Sequence, residues 1–127
     1  MPKDLCVMTN YAHGHEAEKV AARYLEKQGY SIVELNWRTT RAEIDIVAQR
    51  RSRFRAKGPL VFFEVKYRKT DSQGRGLDYI TPKKLAQMRF AAELYVVAAR
   101  YKGEYTLGAI ELTGEDYQVT QVIESVT

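Results

Sequence analysis

The stretch LVFFEVKY, residues 60–67, decides the fold. Its first four residues are all apolar, and such a continuous apolar start predicts a strand in a central position of a sheet. From Phe63 onwards, apolar and charged residues alternate. Because successive side chains of a strand point to opposite faces, the alternation predicts that Glu64 and Lys66 share one face.

A second alternating run, EIDIV at residues 43–47, precedes the first. The alternation predicts one strand face made of Ile44, Ile46 and Ala48, with Asp45 on the other face. If the two runs pair as a hairpin, two carboxylates and an ammonium converge. Two hard oxygen ligands beside a lysine suit a divalent cation that activates water against a phosphodiester.

The rest of the chain supplies two helices and three further strands. Helical spacing of apolar residues predicts helices at 13–28 and 81–101, and alternation predicts strands at 31–37, 41–49, 60–67, 104–112 and 117–123. Thr81 is the predicted N-cap of the second helix and Gly103 its predicted stop. Residues 1–11 lack a clear period and are predicted to be a flexible lead. The order αβββαββ predicts a single α/β domain over residues 1–127, with one mixed sheet flanked by helices.

The composition is that of an ordinary soluble globular chain. It has 127 residues, of which 45% are hydrophobic and 28% charged. A net charge of +4 and an isoelectric point of about 9.2 permit nucleic acid as a partner without demanding it. The lone Cys6 allows no internal disulfide, which favours the cytoplasm. We expect no membrane span, since no apolar run approaches the ~18 residues that one needs, and the N-terminus lacks the apolar core of a signal peptide.

The pattern Asp-x18-Glu-Val-Lys matches the PD-(D/E)xK nuclease signature. In that interpretation Asp45 and Glu64 bind Mg²⁺ or Mn²⁺, which polarises the phosphate and lowers the pKa of a bound water. Lys66 orients that water or stabilises the developing negative charge. The competing interpretation is a solvated strand face, because Glu-x-Lys is also common on the wet side of antiparallel sheets.

Three further residues are candidates for the site. Glu18, on the first helix, is positioned to reach a metal from above the sheet, or it is a plain surface residue. Glu43 is a secondary candidate, either a ligand or an electrostatic neighbour of Asp45. Lys84 lies in the first turn of the second helix, where a cation opposes the helix dipole, so either a phosphate contact or a solvated lysine is consistent with it.

A basic loop at residues 50–59 lies between the two core strands. It contains no acidic residue, and such clustered cations are typical of contacts with a phosphate backbone, although a solvated hairpin tip has the same composition. The cations predicted to contact nucleic acid are Arg50, Arg51, Arg53, Arg55, Lys57, Arg68 and Lys84.

Several blocks of the chain, in order, resemble the YraN-like bacterial proteins. They are GHEAE at 14–18, NWR at 36–38, AEIDIV at 42–47, VFFEVKYR at 61–68 and KKL at 83–85. The resemblance covers roughly residues 13–112 and implies a fold like that of restriction endonucleases and archaeal Holliday-junction resolvases. It also implies a nuclease of the bacterial cytoplasm. The site that it implies consists of Glu18, Asp45, Glu64 and Lys66, with Glu43 close by.

Three functional hypotheses follow. The first is a divalent-metal-dependent endonuclease acting on DNA in repair, recombination or DNA uptake. The second is a DNA-binding module with a nuclease fold and little or no catalysis. The third is an interaction protein whose charged strand face is merely solvated, which predicts no salt-dependent DNA binding. If the substrate is a four-way junction, we expect a homodimer, because cutting a junction generally needs two active sites.

Overall fold

The computed structural model describes residues 9–51, 57–69 and 79–126, with side chains from residue 15 onwards. Its elements are α1 (Thr9–Lys27), β1 (Tyr30–Arg38), β2 (Glu43–Arg50), β3 (Leu60–Arg68), α2 (Pro82–Ala98), β4 (Tyr105–Thr113) and β5 (Gln118–Ile123). The predicted order αβββαββ and the α/β class are therefore confirmed, and the arrangement is compatible with a restriction-endonuclease-like fold.

The five strands form one mixed sheet in the spatial order β1-β2-β3-β4-β5. Neighbouring strands are antiparallel except for β3 and β4, which are parallel. A parallel pair cannot be closed by a tight hairpin, so the chain between these two strands makes a crossover that contains α2. β3 is the third of five strands, which confirms the central position predicted from its apolar start.

The two helices cover opposite faces of the sheet, and each closes its own apolar core. The α1 side buries Ala17, Ala21, Ala22, Leu25, Tyr30, Ile46, Ala48, Val61, Phe63, Ile110 and Leu112. The α2 side buries Ile44, Val47, Leu60, Phe62, Met88, Ala91, Ala92, Tyr95 and Leu107. Consecutive residues of β3 thus enter different cores, which is the physical reason that its sequence is continuously apolar.

Phe63 occupies the middle of the α1 side and restricts the strand beside it. Its ring meets that of Tyr30 edge to face, with 5.6 Å between the ring centroids. Gly108 is its partner in β4. A Cβ atom at Gly108 would lie 2.8 Å from the Phe63 ring, so a side chain at this position would displace the ring.

Both helices differ from the prediction at one end. α1 begins at Thr9 rather than residue 13, so residues 9–11 are helical and do not belong to a flexible lead. Apolar residues at helical spacing begin only later in the chain, so the sequence pattern predicted a later start of the helix. α2 begins as predicted, with the Thr81 side chain accepting a hydrogen bond from the backbone N–H of Lys84 at 3.1 Å.

The end of α2 lies well before Gly103, the predicted stop. Arg100 adopts a left-handed conformation with φ of 56°. The N–H of Tyr101 donates to the carbonyl of Val96 at 2.9 Å, and that of Arg100 donates to Val97 at 3.2 Å. This bond pattern is a Schellman motif, which usually places glycine where Arg100 stands. The prediction was wrong because it relied on the nearest glycine.

The alternation of β2 breaks at Asp45. Ile46 packs in the core on the α1 side, as predicted, but Ile44 packs in the core on the α2 side. The ladder between β2 and β3 begins only at Ile46, so the start of β2 is not held by β3. On the other side, Asn36 of β1 faces Asp45 with a left-handed φ of 55°. The predicted common face of Ile44 and Ile46 was therefore wrong, because the start of β2 lies beyond its ladder with β3 and does not keep the alternation of the paired part.

Within the three described ranges, no helix is both long enough and apolar enough to cross a membrane.

Candidate active site

Asp45 lies where β2 and β3 separate. Beyond the pair formed by Ile46 and Phe63, no backbone pairing joins the two strands. The Asp45 side chain fills the gap, and its Oδ2 atom accepts a hydrogen bond of 2.8 Å from the backbone N–H of Val65. A carboxylate thus replaces the missing strand partner at the end of the ladder.

Glu18 reaches Asp45 from α1. The two carboxyl groups lie close together and influence each other's charge, and the Glu18 side chain is only 15% exposed. Burial, followed by the nearby charge of Glu64, raises the pKa of Asp45 to about 8, although the hydrogen bond from Val65 lowers it. Burial also raises the pKa of Glu18. Two carboxyl groups in contact cannot both be ionised cheaply, so the pair retains a proton near neutral pH.

Glu64 lies on the α2 side of β3, opposite the first turn of α2. Its Oε2 atom forms an ion pair of 3.0 Å with the ammonium of Lys84. The structure therefore brings together the carboxylates predicted at positions 18, 45 and 64, and adds Lys84 to them. In this arrangement Lys84 binds a site carboxylate rather than remaining a solvated lysine.

Lys66 follows Glu64 on the same face and lies beside an aromatic ring. Its ammonium is 5.5 Å from the ring centroid of Tyr79. Burial raises the pKa of Tyr79, as do the charges of Glu64, Glu111 and Asp45. The Tyr79 hydroxyl is buried, and no described residue forms a hydrogen bond with it. Sequence reasoning missed Tyr79 because it lies in a polar segment without a recognisable pattern.

Glu43 lies on the outer side of the site. Its side chain is 60% exposed and forms an ion pair of 3.4 Å with Arg38. It contributes to the repulsion that raises the pKa of Asp45 and Glu18. Glu43 is thus an electrostatic neighbour of the buried pair in this structure, which was one of its two predicted roles.

Arg68 does not reach the surface as a free cation. Its Nε atom lies 2.7 Å from the Oε2 atom of Glu111 in β4, and the two side chains are 10% and 7% exposed. This buried ion pair joins the central strand to its parallel neighbour. The predicted contact of Arg68 with nucleic acid has no support from its position.

Arg50 and Arg51, which begin the basic loop, lie at the other end of β2 from Asp45. Arg50 follows Asp45 by five positions, which corresponds to roughly 17 Å along a strand. Arg50 pairs with Glu124 at 2.5 Å and lies over the Tyr30 ring at 4.6 Å. Arg51 donates to the carbonyl of Glu26 at 3.1 Å.

The other cations of the loop divide into two groups. Lys57 is exposed, whereas Arg53 and Arg55 lie outside the described residues. The structure therefore does not bring the described cations of the loop to the carboxylates.

The donor chemistry of the site suits a hard divalent cation. Among the described residues, no three histidine, cysteine, aspartate or glutamate side chains already form a metal-binding group. Mg²⁺, however, commonly keeps several waters and takes one or two carboxylates. Asp45 and Glu64 supply that number, and the mutual repulsion of the carboxyl groups is the condition that a cation would relieve.

Comparison with known proteins gives one consistent match. The family model described as Uncharacterised protein family UPF0102 matches residues 17–117. A UPF0102 protein of Cytophaga hutchinsonii is 33% identical over 112 residues, which are 88% of this chain and 94% of that protein. One from Syntrophomonas wolfei is 33% identical over 100 residues, covering 78% and 82% of the two chains. These similarities agree with the resemblance to YraN-like proteins.

Proposed function

This chain belongs to the uncharacterised protein family UPF0102, and we propose that it is a divalent-metal-dependent endonuclease that hydrolyses DNA phosphodiester bonds. The observation that carries the proposal is the environment of Asp45. A carboxyl group with a pKa of about 8 sits at an open end of the sheet, in contact with Glu18 and near Glu64. Strongly raised pKa values that arise from burial and like charges are typical of functional sites.

A purely structural role explains this arrangement poorly. A buried carboxyl pair costs stability unless a partner compensates it, and an asparagine would accept the Val65 hydrogen bond without that cost. The carboxyl groups are therefore best explained by a ligand that carries positive charge. A solvated strand face does not account for them, because Glu18 is largely covered and Asp45 is held between two strands.

Each residue of the site has a proposed task. Asp45 and Glu64 would hold Mg²⁺ or Mn²⁺, with Glu18 as a neighbouring acceptor. When bound, such an ion polarises the phosphate and lowers the pKa of a water molecule. Lys66 places a positive charge beside the phosphate, where negative charge develops during hydrolysis. Asp45 must lose its proton before a cation binds, so metal affinity should rise with pH up to about 8.

A DNA-binding module without appreciable catalysis is the second candidate. The observation that favours it is the ion pair of 3.0 Å between Lys84 and Glu64, which occupies one of the proposed metal ligands. The raised pKa of Asp45, about 8, likewise favours a protonated carboxyl group at neutral pH, which does not bind a cation. A protein that remains in this state would bind DNA and not cut it.

Cleavage assays on defined DNA structures separate these candidates. Purified protein is incubated with labelled linear duplex, single-stranded, flapped and four-way-junction DNA, in Mg²⁺, in Mn²⁺ and in EDTA. The variants are Lys66→Ala and Asp45→Asn, with Lys19→Ala and Glu26→Gln as matched controls on the exposed surface of α1. We expect metal-dependent cutting that both site variants lose and both controls keep. Cutting that survives in Lys66→Ala would contradict the proposal.

The biological setting is part of the same proposal. A DNA nuclease of this kind would act in the bacterial cytoplasm, in repair, recombination or DNA uptake. If the four-way junction proves to be the preferred substrate, we propose a homodimer as the active form. Light scattering of the protein with and without junction DNA tests this point, and a monomer that cuts both arms of a junction would overturn it.

A further inference from the structure

An open cleft adjoins the candidate active site on the α2 side of the sheet. Its volume is about 470 Å³, and its lining includes Glu64, Glu43, Arg41 and residues of the first three turns of α2. Because Glu64 belongs to both the site and the cleft, a chain that places one phosphate at the site would have its next nucleotide in this cleft.

The charges of the cleft suit a phosphodiester. Lys83 and Arg41 are exposed in its wall. In the described part of the chain, neither of them forms an ion pair with a carboxylate, whereas Glu43 and Glu64 are paired with Arg38 and Lys84. The uncompensated charge of the cleft is therefore positive, although the site beside it is acidic.

An aromatic ring completes the cleft. Phe90 is 36% exposed, and the guanidinium of Arg41 lies 5.3 Å from its ring centroid. Lys83, Gln87 and Phe90 follow one another at spacings of four and three residues, so they share one face of α2. A phosphate-binding cation and a ring thus lie along one line, as they do in grooves that bind a single strand.

We propose that this cleft binds an unpaired nucleotide of single-stranded DNA, next to the phosphate that is cleaved at the candidate active site. The base stacks on Phe90, and Arg41 and Lys83 contact the adjoining phosphates. In a duplex both faces of each base are already covered by neighbouring bases, so an exposed ring beside the site stacks on an unpaired base without the cost of unstacking a duplex. The inference rests on the proposed function and narrows its substrate to a single strand or to a branch that contains one.

Binding measurements in EDTA test the cleft without any cutting. The probes are a fluorescein-labelled oligothymidylate of about 12 nucleotides, a length that single-strand grooves cover, and a blunt hairpin duplex of similar length. The variants are Phe90→Ala and Phe90→Tyr. The control is Val97→Ala, which removes a more exposed apolar side chain (76%) of the same helix outside the cleft. A second pair compares Lys83→Ser with Arg89→Ser, an exposed neighbour that does not line the cleft.

We expect Phe90→Ala to weaken binding of the single strand by about tenfold, within the range for loss of one stacked base. Phe90→Tyr should restore the affinity because it keeps the ring, and Val97→Ala should leave it unchanged. Lys83→Ser should weaken binding at low salt more than Arg89→Ser does. Circular dichroism confirms that each variant is folded.

Two results would overturn the inference: equal loss of duplex and single-strand affinity in Phe90→Ala, or no loss of either. Absence of any binding by the folded wild-type protein would overturn it as well. The cleavage assay is read separately. A negative binding result therefore contradicts only the proposed role of the cleft and not the proposed nuclease activity. Absence of cleavage, in turn, does not change the interpretation of the binding measurements.

Discussion

The backbone N–H of Val65 donates a hydrogen bond of 2.8 Å to the Oδ2 atom of Asp45. A main-chain donor of the central strand is thereby satisfied by a side chain of the neighbouring strand. The bond fixes the carboxyl group in place, but it does not supply the charge that the group would need in order to stay ionised. With a pKa of about 8, Asp45 is mostly protonated at neutral pH.

Replacing Asp45 by asparagine should change how stability depends on pH. The pKa of Asp45 is about 8 in the folded protein and about 3.8 in the unfolded chain. Between these values the folded state binds more protons, so the free energy of unfolding falls as pH rises from about 4 to about 8. The wild-type protein should therefore lose stability over this interval, and Asp45→Asn should lose less.

Urea unfolding across this pH interval provides the measurement. One unit of pKa shift corresponds to ~1.4 kcal/mol, so we expect Asp45→Asn to be more stable than the wild type at about pH 8 by at least that amount. Near pH 4 the difference should disappear. Parallel stability curves for the two proteins would show that Asp45 is not held in its protonated form.

Tyr79 should influence cleavage through its ring and stability through its hydroxyl. Tyr79→Leu removes the ring beside the Lys66 ammonium, a contact worth ~0.5–2 kcal/mol, and should slow cleavage by roughly two- to thirtyfold. Tyr79→Phe keeps the ring and removes a buried hydroxyl without a described partner, so it should cleave normally and be more stable by about 1 kcal/mol. Cleavage rates and thermal unfolding of both variants are compared. A slow Tyr79→Phe variant would instead assign the hydroxyl to the reaction.

Removing one partner of the buried ion pair between Arg68 and Glu111 should lower the free energy of unfolding more than replacing both partners. Either Arg68→Met or Glu111→Leu leaves one nearly enclosed charge without its partner, so each should cost about 3–5 kcal/mol. The double variant removes both charges and should be more stable than either single variant. The exposed pair of Arg38 and Glu43 serves as the control, where Arg38→Ala should cost at most about 1 kcal/mol. Additive losses in the buried pair would contradict this interpretation.

Arg50 should contribute to stability and not to DNA binding. Arg50→Ala removes its ion pair with Glu124 and its contact with the Tyr30 ring, which together should cost about 1 kcal/mol. Its position far from Asp45 predicts an unchanged salt dependence of DNA affinity. Lys83→Ser provides the comparison and should lower the slope of that dependence by about one phosphate contact. If Arg50→Ala instead reduces the slope of the salt dependence, Arg50 contacts DNA after all.

The order of the elements and the central position of β3 were predictable because both depend on local periodicity. The side chains of residues 60–63 enter the two cores alternately. A central strand therefore explains this continuous apolar run better than a helix or an edge strand does. The grouping of Asp45 with Glu64 was equally accessible, since it follows from pairing two neighbouring strands. The sequence was therefore sufficient for the order of the elements and for the pairing of the two core strands.

The remaining features depend on contacts between distant segments. Ile44 packs in the core on the α2 side at the point where β2 has separated from β3, and no pattern within β2 reveals that separation. Tyr79 approaches Lys66, and Glu111 neutralises Arg68, only because α2 and β4 return to the central strand. Arg50 and Arg51 were predicted to contact nucleic acid because of their charge alone, whereas their location is set by the length of β2.

The parallel pairing of β3 with β4 has a consequence for the newborn chain. Glu18, Asp45, Glu64 and Lys66 are synthesised early, but the strand that flanks β3 on its other side emerges only after residues 69–104. During translation the backbone donors and acceptors along one edge of β3, the most apolar strand, therefore remain unpaired until β4 has been synthesised. Such an open edge is a template for joining with other chains. The ribosome-bound stage, before α2 has carried the chain across, is consequently when this protein is most exposed to aggregation and most in need of chaperones.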